Sequence, residues 1–484
     1  MITVALIGFP LLLTLALFLL RGERLLKWTA LLGSLLEFGW AIFAWINYEH
    51  YCKCSLRVKI DWLESLGISL QLGMDGISIL LVILTAFLIP LIILSSWNQS
   101  YTKPSAFYGL ILLMEMAFMG VFTAFDGILF YIFWEMALIP AWFLCAVWGG
   151  YDRIRITFKF FIYTFVGSLF MLGALIYLYY KTPIPHSFDF RWLYAATLTS
   201  TEQLWIFIAL FLAFAIKIPI FPFHTWQPDT YTTAPAQGTM LLSGIMLKMG
   251  IYGVIRWLIP ITPDAVADYG PVVMILAITG IVYASLIAFR QDDMKRLVAY
   301  NSIAHVGLIA AGLFTLSKQA YDGAVIQMLS HGVNSVGLFA LIGMIERRTG
   351  TRSIASLGGL ARQAPWLAIF FMIILLGSIS LPLTNGFVGE FLLLIGLFNY
   401  SIAFSAVAGL TIIFGAGYML WMYQRVMLGE SPPEGYPAAE AARLHGRTNR
   451  SPIPADLTLT EALVLIPIVI MIFWIGIAPG LFYP

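Results

Sequence analysis

Apolar segments about twenty residues long recur along this chain from end to end, and that recurrence constrains the fold more than any other feature. A helix needs roughly 20 mainly apolar residues to cross the hydrocarbon of a bilayer. On that rule the chain is expected to be all-α, a polytopic membrane protein with about 14 transmembrane helices. The segments lie near residues 2–20, 28–46, 76–97, 107–125, 127–148, 158–180, 203–222, 235–258, 271–289, 297–316, 321–345, 366–397, 400–424 and 460–480. Composition agrees: 60% of the 484 residues are hydrophobic and 11% are charged, whereas a soluble domain carries about 25% charged residues. A net charge of +2 gives no basis for nucleic-acid binding. The first segment reads as a retained span, not a cleaved signal. Cys52 and Cys54 flank Lys53 in a polar loop and Cys145 sits in an apolar run, too few ligands for a metal site. No metal and no cofactor are expected in this chain, so any electron carrier belongs on another subunit.

Loop charge sets orientation, because short inner loops collect Lys and Arg. With both termini outside, eighteen basic residues fall in inner loops, among them Arg153, Arg155, Lys159, Arg290, Lys295 and Arg296. Only seven fall in outer loops and span ends: Lys53, Arg57, Lys59, Lys181, Arg191, Arg256 and Lys318. Both termini are therefore expected on the outer side. Two longer polar segments interrupt the pattern. Residues 47–75, with the alternation ISLQL, read as an outer loop holding a short hairpin. Residues 429–456 are rich in Pro, Gly and charge and read as a mobile inner loop, with His445 as a solvated histidine.

Ionisable residues inside spans carry the functional signal, since each is costly in hydrocarbon and tends to mark an ion or proton path. Glu135 lies in LFYIFWEMALIPAWFL, Lys217 in FLAFAIKIPIFPFHTW and Lys248 in LLSGIMLKMG. The plain alternatives are a carboxylate satisfied by a neighbouring helix and lysines that snorkel. Both lysines sit too deep for easy snorkelling. A desolvated lysine gives up its proton more readily than one in water, which suits a carrier. Glu135 and Lys217 are expected to stabilise each other's charge when close and to neutralise more easily when apart. His305 in NSIAHVGL and His331 in QMLSHGVNS lie on successive spans with Ser302, Ser330 and Asn334 nearby, and read as a relay. Glu390 follows LPLTNGFVGE. Glu115 lies mid-span in LLMEMAF; Asp126 and Asp229 read as loop or interface charges, and Asp292 and Asp293 as a solvated loop.

Two helices are expected to break. Pro219 and Pro222 interrupt the seventh span just after Lys217, and Pro382, Asn385 and Gly386 interrupt the twelfth just before Glu390. Broken helices at corresponding places in two halves are a mark of internal repeats. Five spans separate them, an odd number, so the repeats are inverted. Residues 107–258 (spans 4–8) and 259–428 (spans 9–13) form the pair, with 1–106 in front and 429–484 behind. The second repeat then has Glu390 where the first has Lys217. Glu135, Lys217, Lys248, His305, His331 and Glu390 form a lateral row.

The strings FYIFWEMALIPAWFL, AFAIKIPIFPFHTWQPD, TAPAQGTMLLSGIMLKMGIYGVIR, RQDDMKRLVAYNSIAHVG, QMLSHGV and NGFVGEF resemble the antiporter-like proton-channel family over nearly the whole chain. Its members include membrane subunits of bacterial respiratory complex I and of multisubunit sodium/proton antiporters. The resemblance implies that Glu135 and Lys217 are the gating ion pair, Lys248 the central lysine, His305 and His331 the connecting histidines, and Glu390 the terminal acid. It implies a place in the lipid bilayer of a bacterial inner membrane beside the antiporter-like subunits L and N of complex I. It also implies that NADH, flavin, iron–sulfur clusters and quinone are handled by partner subunits. The competing functions are a sodium/proton antiporter or membrane-bound hydrogenase subunit on the same fold, a non-transporting scaffold, and a free-standing solute transporter. A scaffold gains nothing from six buried ionisable groups, and a solute transporter calls for polar residues clustered at one site.

Overall fold

The structure is a computed structural model, and it describes residues 2–50, 56–64, 67–430 and 456–483. Cys52, Cys54 and His445 lie outside the described residues. Among the described residues thirteen helices are long and apolar enough to cross a membrane. Spans 1–6 are Ile2–Leu19, Glu23–Tyr48, Gly76–Ser95, Pro104–Thr123, Gly127–Trp148 and Arg153–Lys181. Span 7 begins with Ser200–Lys217, and spans 8–11 are Ala236–Ile261, Pro263–Ala288, Met294–Leu313 and Lys318–Thr349. Spans 13 and 14 are Ile402–Leu428 and Leu459–Ile477. The stretch expected as the twelfth span is a pair of shorter apolar helices, Pro365–Ser378 and Asn385–Tyr400. The described residues are thus all-α and multi-pass, apart from one hairpin. Strands β1 (Val58–Leu63) and β2 (Ile68–Leu72) pair antiparallel, with Val58 opposite Leu72 and Ile60 opposite Leu70. The hairpin is tied to the connection between spans 4 and 5 by Gly73 N–H to Thr123 O (2.8 Å) and Phe125 N–H to Gln71 O (2.9 Å).

The chain divides into two compact units, one running to Leu276 and the other Ala277–Tyr483. In the first, span 1 packs on span 4, span 4 on span 5, and span 6 on both span 5 and Ser200–Lys217. In the second, span 11 packs on spans 10 and 14 and on Asn385–Tyr400.

Both predicted breaks are present, and they are built alike. Span 7 stops at Lys217 and resumes as Gln227–Thr233. Ile218 N–H reaches Phe214 O (2.8 Å), Ile220 N–H reaches back to Ala215 O (2.9 Å), and Phe223 N–H bonds Ile220 O (2.6 Å). Span 12 repeats the pattern: Ile379 N–H to Leu375 O (2.9 Å), Leu381 N–H to Leu376 O (3.1 Å), Thr384 N–H to Leu381 O (3.0 Å). These bonds satisfy carbonyls that the ended helix would otherwise leave open, as a non-aqueous surround demands. They also set a residue register between the halves, with Phe214 matching Leu375 and Ala215 matching Leu376. Counting on, Lys217 corresponds to Ser378, and Glu390 corresponds to Asp229. The expectation that Glu390 stands where Lys217 would be is therefore corrected: the lysine precedes its break and the glutamate follows its own.

The capping residues repeat too. Asp126 opens span 5, its carboxylate accepting from Ile128 and Leu129 N–H, and forms an isolated bridge with Asp189. Asp293 opens span 10, accepting from Lys295 and Arg296 N–H, and forms an isolated bridge with Ser353. Asp292 accepts from Ser353 Oγ (2.5 Å) and Ala355 N–H (2.8 Å). This loop is exposed at Arg290 and Asp292, as expected, and is also held in place by both aspartates. Span 13 ends in a π-helical segment, Gln424–Leu428, and span 8 has one, Val254–Leu258, just before its last residues.

Close approach at one glycine locks the first break. Gly250 on span 8 faces the end of Ser200–Lys217 so tightly that a Cβ there would lie 2.6 Å from Ile218 Cγ1 and 3.2 Å from Lys217 Cβ. Gly250→Val should therefore cost about 1–3 kcal/mol through overpacking, read as a lower thermal midpoint of the purified protein. Asp126 yields a pH test. Burial pushes its carboxyl up to about 6 even though Leu129, Ser69 and Ile128 N–H groups stabilise the charge. The folded state then holds the proton more tightly than the unfolded chain, so the contribution of Asp126 is fully present below about pH 4 and lost as pH rises. By pH values above about 6 it is gone. Asp126→Asn keeps an acceptor for the helix start without the buried charge and should flatten that dependence, while Asp126→Ala should cost about 1 kcal/mol. Thermal unfolding at acidic and neutral pH distinguishes the three.

Candidate functional site

In the first unit three of the six predicted residues are brought onto packed elements. Lys217 is the last residue of its helix, 2% exposed. A cation is favoured at a helix C-terminus by the aligned carbonyl dipoles, and the Lys217 ammonium also lies 5.0 Å from the centre of the Trp134 ring. Its Nζ makes no hydrogen bond to any protein group, Glu135 included, and Glu135 Oε1 is likewise without a partner. The two predicted partners are therefore present but not joined: Trp134, the residue before Glu135, receives the lysine instead. Glu135 is half-buried, with Ser168 of span 6 beside it.

Lys248 is 1% exposed and lies between two π-helical segments, Leu242–Met246 and Val254–Leu258. Helical side chains lean toward the N-terminus, and here the Lys248 Nζ reaches back to donate to Ser243 O at 2.6 Å. In the preceding π turn Leu247 N–H bonds Leu242 O, five residues back. Single π turns inside α-helices are frequent at functional sites.

The second unit joins its predicted residues directly. His305 Nδ1 and Glu390 Oε1 are 2.5 Å apart, and both groups are buried. Gln327 Nε2 donates to the same Glu390 oxygen at 3.2 Å. On its other side His305 Nε2 lies 3.2 Å from Asn301 Oδ1, which also accepts from the Tyr418 hydroxyl at 2.7 Å. Asn301 Nδ2 donates to Ser378 Oγ at 3.3 Å. With the amide so assigned, Oδ1 only accepts, so His305 Nε2 carries a hydrogen. The short contact on the Nδ1 side then holds one further proton, on the ring or on the carboxyl, and the pair is neutral overall in both cases. His331 Nε2 pairs with Ser302 Oγ at 2.8 Å, and the two imidazole centres are 6.5 Å apart. A polar cavity lined by His305, His331, Asn301, Ser302, Gln327 and Asn334 has a volume of about 10 Å³, room for roughly one water.

The break of span 12 is bolted to this network. Asn334 and Asn385 exchange amide hydrogen bonds at 3.0 and 3.1 Å, and Asn385 Oδ1 accepts from Gly386 N–H at 2.9 Å. Sequence reading passed over Asn301, Gln327, Ser378 and Tyr418. Asn301 was findable, four residues before His305 and so on the same helix face; the others become partners only through tertiary packing. Glu37 was missed as well. It is fully buried in span 2 and, like Glu115 in span 4, has neither carboxyl oxygen hydrogen-bonded. Its setting, LLEFGW, is as apolar as that of Glu115. Among the described residues no cluster of three or more His, Cys, Asp or Glu is suited to hold a metal.

Comparison with known proteins places this geometry. NADH-quinone oxidoreductase subunit M of Rickettsia conorii is 41% identical over 94% of this chain and 89% of its own length. A chain of respiratory complex I from Thermus thermophilus superimposes with a TM-score of 0.89 at 30% identity, over 100% of this chain and 96% of that one. A chain of the archaeal membrane-bound sulfane sulfur reductase shares the fold, with a TM-score of 0.84 at 22% identity over 99% and 94%. Residues 124–415, from the cap of span 5 into span 13, match the family described as NADH:quinone oxidoreductase/Mrp antiporter, TM. The chain belongs to that NADH:quinone oxidoreductase/Mrp antiporter transmembrane family.

Proposed function

We propose that this chain is a proton-translocating membrane subunit of a NADH:quinone oxidoreductase, the counterpart of subunit M. The observation that carries the proposal is the set of buried titratable groups placed at helix discontinuities: Lys217 at the end of the first half of span 7, Lys248 between π segments, and Glu390 with His305 just after the break of span 12. Relatives that match over nearly their full length carry the name subunit M. In this reading the chain sits in a bacterial inner membrane with both termini outside, next to subunits L and N. NADH, flavin, iron–sulfur clusters and quinone are held by partner subunits, whose redox energy alters the electrostatics of the row.

The chemistry of the row follows from where protons are held. Lys217 has an aromatic face beside it but no hydrogen-bond acceptor, so it takes up and gives up a proton without breaking a hydrogen bond. Movement of Glu135 toward it favours the ammonium, and movement away favours release inward toward Lys248. His305 and Glu390 exchange their shared proton without changing the pair's net charge, and protons leave to the outside from Glu390. Glu135, Lys217, Lys248, His305, His331 and Glu390 are the proposed relay.

Lys217→Met or Glu135→Gln in the assembled complex should lower coupled proton transfer by a factor of about 100 or more, while NADH oxidation by an artificial acceptor continues. Normal proton-to-electron ratios in both variants would end the proposal. Asn301→Leu removes the acceptor that keeps the hydrogen on His305 Nε2, and should slow coupled turnover by about tenfold. Coupled and uncoupled rates measured side by side check this.

A further inference from the structure

We infer that Asp229 is the proton-collecting residue of the first repeat, on the inner side, as the register counterpart of Glu390 in the second. The inference rests on the proton-translocating reading above. The three backbone bonds common to the two breaks align Trp226 with Phe387 and Asp229 with Glu390, so each repeat carries a carboxylate at the same place on the second half of its broken helix. What differs is access. Glu390 is 1% exposed, whereas the Asp229 side chain keeps 29% of its surface open and pairs with Lys159 Nζ at 3.0 Å. Lys159, on span 6, also donates to Thr225 O at 2.8 Å, so it holds this half-helix at the end whose loops are expected inside. His224, in the turn before, also feels the Lys159 charge.

An exposed ion pair contributes little to stability, so structure alone is a weak reason for this carboxylate. The groups behind it point inward. Gln227, which opens this half-helix, is fully buried with the Tyr231 hydroxyl as a side-chain partner, and Lys217 Nζ is buried without a hydrogen-bond partner. An unpaired buried amine is costly, which leaves Lys217 Nζ open to a proton donor. The step balances simply. A proton from inner water binds the Asp229 carboxylate and loosens Lys159; the same proton then passes to the neutral Lys217 amine, and the carboxylate and its ion pair re-form.

The test uses the purified complex reconstituted in vesicles, with Lys217→Met as reference. Asp229→Asn should lower coupled proton uptake on the order of tenfold, and Asp229→Glu should recover it to within about twofold. Recovery by the second variant separates lost proton transfer from lost folding. Lys159→Met breaks the ion pair but leaves the carboxylate, so it should keep pumping. If Asp229→Asn pumps normally while Lys217→Met does not, the inference fails and the relay stands. If Lys159→Met loses as much as Asp229→Asn, the ion pair matters and not the carboxylate, and the inference also fails. If Lys217→Met itself pumps normally, the reading beneath both is wrong.

Discussion

Backbone amides and carbonyls inside hydrocarbon must find partners within the protein, and the two broken spans show what that demands. Stopping a helix at Lys217 or Ser378 opens carbonyls that water would normally satisfy. In both places a hydrogen bond reaching back five residues, Ile220 to Ala215 and Leu381 to Leu376, closes the gap. Each break thus satisfies several of its helix-end carbonyls within its own turn. That allows ionisable side chains to sit where helix-end dipoles and polar side chains face them. Trp134 beside Lys217 and the Asn334–Asn385 pair beside Glu390 are the local supports.

Much of this was legible in the sequence, for physical reasons that can be named. Segment length and composition are imposed by bilayer thickness, so the spans and the twelfth-span break could be read directly. The prolines after Lys217 marked the first break, and ISLQL marked the hairpin. Register was not legible: the equivalence of Ser378 with Lys217 depends on which carbonyl each turn selects, and hydropathy does not encode that. Nor were Tyr418 and Gln327, which become partners of Asn301 and Glu390 only when distant helices pack. RQDDMKR looked solvated because it is charged, yet both aspartates are spent on backbone and side-chain donors.

The two repeats use one scaffold with different chemistry. Counting from the capping aspartates, Ser302 occupies the place of Glu135. In the first repeat a carboxyl stands beside Ser168; in the second a serine stands beside His331. One half therefore keeps ionisable groups, Lys217 Nζ and Glu135 Oε1, without hydrogen-bonded partners. The other keeps hydrogen-bonded, internally compensated pairs.

The π segments flanking Lys248 extend this idea to the helix itself. Each widened turn holds one more residue than an α turn, and one residue amounts to about 100° of rotation around the axis. Span 8 is therefore a screw whose phase is reset on either side of its lysine. The faces that carry Lys248 and Gly250, both in Leu247–Gly253, are therefore set together, and independently of the helix before Leu242 and after Leu258. Of the two segments, only Leu242–Met246 bears on the bond from Lys248 to Ser243, and its conversion to regular α-helix would turn the lysine about the axis relative to the start of the span. Such a change of phase is a rotation of the side chain about the helix axis and involves no displacement along the membrane normal.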